Sequence, residues 1–399
     1  MGDRDLELLF EELIEGEITR RRLLRRAGGG MIGLSLAGLL AACGGGNGGG
    51  GGDKTDNSPI PKGKISDTLN FSNWPYYIDV EGKRHPSLEL FAKKYGTKVK
   101  YTEEITDNLP FFGKVRLQYA QGRSGGRDLH VVTDWLCDRM KRLGYVQKLD
   151  KSAMPNVVKN IEPAVAHPDF DPNREWSVPW QSGQVVLMYR GDKTGRDLHS
   201  VNDLFDPRYK GKVTMLTELR DTVGSVLLAD GVEPEKASKD QVMNAIDKID
   251  KASKDGQIRK FTGNEYVRDV IKGDSIAILG WSGDFSSFNA DPKIKYQHPD
   301  DGFMIFTDSM QVPVGAPHAF TAEKLMDFYY QPEIMKRVTL AYNYVPPVKG
   351  TKELLEKSDP DIAKNPLVFP DLSRAHNFKS FSTKDQADID AAWARVSGA

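Results

Sequence analysis

The chain is predicted to have an α/β fold with room for two domains. From about residue 66 onward, short apolar segments typical of strands alternate with longer segments of helical periodicity. The 399 residues are enough for two domains, each with its own hydrophobic core. The formal charge is −1, and the region after residue 42 has no basic tract. This argues against nucleic acid as a partner, because such binding depends largely on cationic contacts to phosphate.

Seven segments have the composition of strands, and helices are predicted between them. The strand segments are residues 68–72, 98–102, 128–132, 184–189, 212–216, 275–280 and 302–306. Residues 87–96 follow a proline and end at a glycine, which is typical of a helix. Residues 240–256 have apolar side chains at helical spacing and also end at a glycine. Near the C-terminus, Thr383 and Gln386 fit a capping box before a third helix.

The first 43 residues have the layout of an export signal. Arginines in TRRRLL, at residues 19–24, precede the apolar stretch MIGLSLAGLLAAC, at residues 31–43. That stretch is shorter than the about 20 residues of an ordinary membrane span. The arginines resemble a twin-arginine signal, with the general secretory route as the alternative, and LAAC resembles a bacterial lipobox in which Cys43 is lipidated. The other interpretation is an arginine-rich amphipathic leader with an unrelated cysteine.

A glycine-rich flexible tether is predicted for residues 44–65. About 20 such residues span a root-mean-square distance of about 25 Å. A lipid anchor with this tether would hold a domain loosely at a membrane surface. The second cysteine, Cys137, has no disulfide partner once Cys43 is lipidated, so it is predicted to be a small buried apolar residue.

Five predicted strands are followed directly by aromatic or acidic residues. The segments in question are residues 73–77, 133–135, 217–221, 281–284 and 307–308. In open α/β sheets, ligands bind outside the carboxyl ends of the strands. If the five strands are parallel, their terminal side chains meet at one cleft.

A cleft that combines carboxylates with aromatic faces suits a cation with an apolar body. Carboxylates accept charge-assisted hydrogen bonds from ammonium groups, and tryptophan and tyrosine faces attract them with about 0.5–2 kcal/mol each. The alternative interpretation of the same residues is structural, with Trp74 and Trp135 in the core, Asp308 in a turn, and Glu218 and Asp221 in a surface ion network.

Six motifs of the chain resemble those of the bacterial spermidine/putrescine-binding proteins, the extracytoplasmic receptors of polyamine ABC importers. They are LNFSNWPYYID, DLHVVTDWLCDRMKRLGYVQKLD, LTELRDTVG, GWSGDF, FTDSMQVP and NYVPPVKG. The resemblance implies a two-lobed periplasmic-binding-protein type II fold with central mixed sheets, two crossover strands and an interlobe cleft. The lobes would be residues 66–180 with 282–345 and residues 181–281 with 346–399, and they would close on the ligand by hinge motion.

The same resemblance assigns ligand contacts to the positions that match the family motifs. They are Trp74, Tyr77, Thr133, Trp135, Glu218, Asp221, Trp281, Asp284, Phe306, Asp308 and Tyr344. By this resemblance, Trp281 would stack on the alkyl chain, while Asp284 and Asp308 would each take an amine. Pro75 departs from the pattern, since a hydroxyl residue is common there, and the 218–221 region aligns only to within one residue. Both departures leave the choice between putrescine and spermidine open.

The predicted function is therefore capture of a polyamine by a lipid-anchored, extracytoplasmic, monomeric receptor that passes it to ABC permease subunits. No catalytic residue, metal or cofactor is expected. One alternative is the same fold with another solute, such as a sugar, a metal or other cation, or an anion. A second is a lipoprotein with no small ligand. The third is a hydrolase with Ser282 as nucleophile, although GWSGD differs from the nucleophile-elbow pattern G-x-S-x-G at Asp284.

Overall fold

A computed structural model describes residues 58–288 and 291–398 of the chain. The export signal with its arginines, the lipidation residue Cys43 and most of the tether lie outside the described residues. Within the described ranges, no helix combines the length and the apolar character needed to cross a membrane.

The described residues form one mixed ten-stranded sheet. Its strands are β1 (Thr68–Asn73), β2 (Lys98–Glu103), β3 (Leu129–Thr133), β4 (Val178–Arg190), β5 (Val213–Leu216), β6 (Ile258–Thr262), β7 (Ala277–Trp281), β8 (Ile294–Gln297), β9 (Phe303–Gln311) and β10 (Ala375–His376). Their order is β2-β1-β3-β9-β4-β7-β5-β6, with β8 beside β4 and β10 beside β9. Strand β1 is parallel to β2 and β3, and β5 is parallel to β6 and β7.

Two long strands, β4 and β9, join the two halves of this sheet. Up to Gln184, β4 pairs antiparallel with β9, and from Val185 onward it pairs antiparallel with β7. All 13 residues of β4 are buried, which is typical of a central strand covered on both faces. Hereafter the first half means β1, β2, β3 and the start of β4, and the second half means β5, β6, β7 and the end of β4. This arrangement agrees with the predicted α/β fold and its two crossover strands.

Helices cover the sheet, and their ends follow local sequence rules. They are α1 (Pro86–Tyr95), α2 (Asn108–Ala120), α3 (Asp134–Leu143), α4 (Pro155–Asn160), α5 (Pro163–Ala166), α6 (Gly191–Thr194), α7 (Leu219–Ala229), α8 (Lys239–Lys254), α9 (Tyr266–Lys272), α10 (Ala319–Tyr329), α11 (Pro332–Tyr342), α12 (Thr351–Ser358), α13 (Pro360–Ala363) and α14 (Thr383–Ser397). Helix α1 ends at Gly96 with φ 72°, a left-handed conformation that glycine adopts without strain. The last helix is capped by Ser382 rather than by the predicted Thr383, because the Ser382 hydroxyl accepts the Asp385 N–H.

Each half of the sheet has a buried tryptophan at its centre. In the first half, Trp180 packs edge-to-face on Phe71 and Tyr329, with ring centroids 5.8 and 4.7 Å away. In the second half, Trp393 of α14 lies 5.4 Å from Phe261, and its indole N–H donates to the Thr217 carbonyl at 2.6 Å. Aromatic pairs of this kind stabilise a fold by about 0.5–1.5 kcal/mol beyond their burial.

Cys137 is fully buried, as predicted. The strand predictions need two corrections. Strands β6, β8 and β10 were not predicted from the sequence. Strand β9 continues to Gln311, so Phe306 and Asp308 lie inside a strand rather than after its end. The physical reason is that antiparallel pairing with β3 and β4 satisfies the backbone past residue 306.

Candidate functional site

The eleven predicted contact residues meet where β4 and β9 pass between the two halves. Backbone register places Asp308 opposite both Thr133 of β3 and Gln181 of β4, and places Trp281 opposite Val185. The parallel strands of each half end at this crossing, so their terminal side chains come together in one largely buried cluster, called the cleft below. Hydrogen bonds and ring contacts link all eleven residues, directly or through Asn108, Arg220 and Tyr266.

Asp308 is a buried carboxylate held by two hydroxyl groups. The Tyr77 hydroxyl donates to Oδ2 at 2.6 Å, and the Thr133 hydroxyl donates to Oδ1 at 2.7 Å. Burial raises the pKa of Asp308 to about 7, although both hydrogen bonds act in the opposite direction. The side chain is 4% exposed, so its charge has little contact with water.

Asp284 lies in the 3-10 turn Ser282–Phe288 and is held by three neutral donors. The Tyr266 hydroxyl and the Asn264 amide each donate to Oδ2 at 2.7 Å. The Tyr344 hydroxyl donates to Oδ1 at 3.1 Å. Burial raises the pKa of Asp284 to about 6. A carboxylate has about four lone-pair directions, so one remains for a further donor.

Tyr266 and Asn264 are site residues that sequence reasoning missed. Asn264 and Tyr266 lie two and four residues beyond the end of β6, a strand that the sequence did not reveal, much as Asp284 lies three residues beyond the end of β7. The rule that site residues follow strand ends would have found them once β6 was recognised. Tyr266 also accepts the backbone N–H of Trp281 at 2.8 Å, so its hydroxyl joins the strand end to the carboxylate.

Asp221 and Trp281, both in the second half, are joined by a direct hydrogen bond. The Trp281 indole N–H donates to Asp221 Oδ2 at 2.7 Å. Burial, followed by the negative charge of Glu218, holds the pKa of Asp221 well above its usual value. This hydrogen bond fixes the orientation of the Trp281 ring toward the cleft.

Glu218 is the N-cap of α7 and is buried rather than on the surface. Its side chain accepts the Arg220 backbone N–H at 3.3 Å and the Asn108 amide at 3.3 Å. The Arg220 guanidinium lies 3.5 Å from Glu218 Oε1 and 3.9 Å from the centre of the Trp135 ring. The alternative of a surface ion network at residues 218–221 is therefore wrong, because both acids are buried and Asp221 bonds to Trp281 rather than to Arg220.

Aromatic rings form two further walls of the cleft. Trp281 lies 6.0 Å from Trp74 and 6.4 Å from Phe306, and Tyr77 lies 4.6 Å from Tyr344, all as centroid distances. The Trp74 indole N–H donates to the Val131 carbonyl at 3.0 Å, which fixes that ring as well.

Two glycines make room for these rings. A Cβ on Gly183 would lie 2.5 Å from Phe306 Cζ, and one on Gly283 would lie 2.1 Å from Tyr344 Cε2. Beside Gly283, the Ser282 hydroxyl accepts the Gln184 N–H at 3.1 Å and is fully buried. Ser282 therefore has a structural hydrogen bond at the turn, and Gly283 allows the Tyr344 ring to approach Asp284.

The two halves of the sheet are in direct contact across this cleft. Asp107 and Asn108, at the start of α2, bind residues that follow β5: the Thr217 hydroxyl donates to Asp107, and the Asn108 amide donates to Glu218. Burial, followed by the charge of Glu218, raises the pKa of Asp107 to about 6. Neither residue was identified from the sequence, although both lie just beyond the end of β2.

The donors that hold Asp284 and Asp308 are hydroxyls and an amide, which carry no positive charge. Buried carboxylates with neutral donors and aromatic faces beside them can bind a cation whose body is apolar. The arrangement has the chemistry of a binding site rather than that of nucleophilic catalysis.

Comparison with known proteins identifies the family. The sequence model of the bacterial extracellular solute-binding proteins matches residues 88–370. The chain belongs to this family. It is a family of binding proteins that act outside the cytoplasm, so the chain is a transport component and not an enzyme.

Individual relatives are similar to this chain over most of its length. The spermidine/putrescine-binding periplasmic protein of Escherichia coli strain K12 is 26% identical over 78% of this chain and 86% of its own. A putrescine-binding periplasmic protein of Pseudomonas aeruginosa is 23% identical over 94% of this chain and 99% of its own. Among solved structures, the spermidine/putrescine transporter substrate-binding protein of Streptococcus pneumoniae has a TM-score of 0.67, with 21% identity over 83% of this chain and 98% of that one. The last comparison supports the two-lobed α/β fold.

Proposed function

We propose that this solute-binding protein captures a polyamine of the putrescine or spermidine type and delivers it to an ABC-type permease. One observation carries the proposal: two buried carboxylates, Asp284 and Asp308, are held by neutral donors between aromatic rings. The names of the E. coli and P. aeruginosa relatives, which describe polyamine-binding proteins, support the same ligand class.

The energetics favour a flexible diamine or triamine over a neutral solute. A hydrogen bond to a charged group contributes about 1.5–3 kcal/mol, and a buried methylene contributes about 0.8 kcal/mol. An ammonium group at each carboxylate would gain the hydrogen-bond contribution, and an alkyl chain packed on Trp281 would gain the contribution of its buried methylenes. Without a bound cation, ionising Asp284 or Asp308 has a desolvation cost, as their raised pKa values indicate.

Calorimetric titration tests this function. Putrescine or spermidine should bind at micromolar concentration or tighter, whereas 1-aminobutane, a sugar and 4-aminobutanoate should bind at least about a hundredfold more weakly, because each lacks at least one of the two ammonium groups. Absence of heat with any polyamine at millimolar concentration would refute the proposal. Preferential binding of the sugar or of a metal ion would support a receptor for another solute.

We also propose that the exported protein is attached to the membrane through a lipid on Cys43. The LAAC pattern and the glycine-rich tether at residues 44–65 support this anchor. In cells, Cys43→Ser should move the protein from the membrane to the soluble fraction and abolish labelling by a fatty-acid analogue. Unchanged membrane association would contradict it. Replacing Arg20 and Arg21 by lysine should block export only if the twin-arginine route is used.

We further propose that the protein is a monomer with two lobes. Residues 66–180 with 282–345 and residues 181–281 with 346–399 would form two lobes that move about β4 and β9. Because β8 pairs with the end of β4, residues 294–297 fit better with the second lobe. Small-angle scattering should show a monomer whose radius of gyration decreases when polyamine is added.

A further inference from the structure

Arg220 is a cation that the protein itself places in the cleft. Its guanidinium is 3.5 Å from Glu218 and 3.9 Å from the centre of the Trp135 ring, and its side chain is 18% exposed. Glu218 and Trp135 are one carboxylate and one aromatic face, the pair of groups that an ammonium group of a ligand would use. At this end of the cleft, those groups are already occupied.

The remaining acids differ from Glu218 in this respect. Asp284 and Asp308 are held by hydroxyls and an amide, and Asp221 accepts the Trp281 indole N–H. Glu218 is close enough for its charge to raise the pKa of Asp221 and of Asp308, so it belongs to the same cleft. The cleft therefore has a part whose carboxylates are held by neutral donors and a part neutralised by Arg220.

We propose that Arg220 determines ligand length by occupying the Glu218–Trp135 subsite, so that the cleft selects a diamine over a longer triamine. This inference rests on the proposed polyamine function and adds a specificity residue to it. In the proposed function, Asp284 and Asp308 each take one ammonium group. A third ammonium group would have to displace the Arg220 guanidinium from Glu218 and from the Trp135 face. The positive charge of Arg220 would repel it.

The test is calorimetric titration of putrescine and spermidine into the wild-type protein and Arg220→Gln. We expect the wild type to bind the diamine at least about tenfold more tightly than the triamine, and Arg220→Gln to shift the ratio of the two dissociation constants by about tenfold or more toward the triamine. Adding Glu218→Gln to Arg220→Gln should remove that gain, since the third ammonium group then has no carboxylate to bind. If thermal unfolding shows that Arg220→Gln does not fold, Arg220→Ala takes its place.

Arg208 provides a matched control in the same chain. It is paired with Asp206 two residues earlier, as Arg220 is with Glu218, and its guanidinium lies 5.7 Å from the Tyr209 ring. Arg208→Gln changes the net charge equally and should leave the ratio of dissociation constants within about twofold of the wild type.

The outcomes separate this inference from the proposed function. An unchanged ratio in Arg220→Gln, or a wild type that prefers the triamine, would overturn the role of Arg220 while polyamine binding stands. Tighter binding of 4-aminobutanoate than of putrescine would also overturn it, because Arg220 would then be a residue that binds a carboxylate. No heat with either amine would refute the function and, with it, the inference.

Discussion

Two groups of mostly buried carboxylates have opposite partners: Glu104 and Asp269 form one group, and Asp284 and Asp308 form the other. Outside the cleft, Glu104 accepts hydrogen bonds from Arg127 at 2.7 Å and from Lys114, and Asp269 accepts them from Arg259 at 3.0 Å and from Lys260. Although burial acts to raise it, these cations lower the pKa of Glu104 to about 2, and they lower the pKa of Asp269 as well. Inside the cleft, burial prevails, and Asp308 and Asp284 have pKa values of about 7 and 6.

The difference between the two groups is the charge of the donors that hold them. Glu104 follows the end of β2, as Asp284 follows the end of β7, so position at a strand end does not separate the two groups. The partner does: the protein gives Glu104 and Asp269 cations, whereas it gives Asp284 and Asp308 hydroxyls and an amide. The missing positive charge is the property that the proposed ligand supplies.

The largest expected effect comes from removing one cleft charge. Asp308→Asn should weaken putrescine binding by about a hundredfold to a thousandfold, because a buried ammonium group would lose its charged partner. Glu104→Gln is the matched control and should change the affinity by less than about threefold. Calorimetry on both variants measures the contrast, and similar losses in the two would contradict it.

The next effect is a loss of affinity at low pH. Asp284 and Asp308 titrate near pH 6 and 7 in the ligand-free protein, and a bound ammonium group would lower both pKa values, so binding releases protons below those values. Affinity should fall by about two to three orders of magnitude between pH 8 and pH 5. Titrations in buffers of different ionisation enthalpy measure the released protons, and a constant affinity over this range would rule out these two carboxylates.

Replacing a carboxylate by its amide should change the free energy of unfolding in opposite directions in the two groups. The folded-state pKa of Asp308 is raised, so its contribution to stability is present below the unfolded value near 4 and is lost as the pH rises through about 7. At pH 8, Asp308→Asn should therefore increase the unfolding free energy of the ligand-free protein by about 1–3 kcal/mol.

Glu104→Gln should decrease the same free energy by about 1–3 kcal/mol, because it leaves Arg127 partly buried without its charged partner. Urea unfolding at pH 8 measures both changes. Destabilisation of similar size in the two variants would mean that Asp308, too, is a structural carboxylate.

The smallest effect concerns Tyr266. Tyr266→Phe removes one hydrogen bond from Asp284 and the acceptor of the Trp281 N–H, so the pKa of Asp284 should rise further and affinity at pH 7 should fall by about threefold to tenfold. The pH at which affinity is half lost should move upward. Tyr209→Phe, which removes a buried hydroxyl bonded to the Thr194 carbonyl, is the control and should leave that pH unchanged.

Sequence patterns were sufficient for the fold class and, to within two residues, for the three helices that they identified, because periodicity and capping are local properties. They failed where tertiary pairing overrides composition. Strand β4 begins at Val178 and includes Pro179, which is unusual inside a central strand, and β9 continues through polar residues around Asp308 that look like a turn. The short strand β6 has two basic residues and lacks the apolar run that would reveal it.

The candidate site was predictable as a set of residue types but not as a network. Strand ends and family motifs indicate which aromatic and acidic residues meet. They do not indicate the direction of a side chain, so the Arg220–Trp135 contact and the Tyr266–Asp284 hydrogen bond required the structure. The same limit explains why Glu104 and Asp308 cannot be distinguished from their sequence positions alone.

Gly283 has a consequence for how such a receptor could change its ligand. The Tyr344 ring occupies the volume that a side chain at residue 283 would need, and the same holds for the Phe306 ring at Gly183. Glycine and alanine codons differ by a single base. A mutation that adds one methyl group at either position would therefore displace an aromatic wall without altering any residue that contacts the ligand. New ligand preferences could arise in this protein through its backbone glycines, while every acidic and aromatic residue of the cleft stays the same.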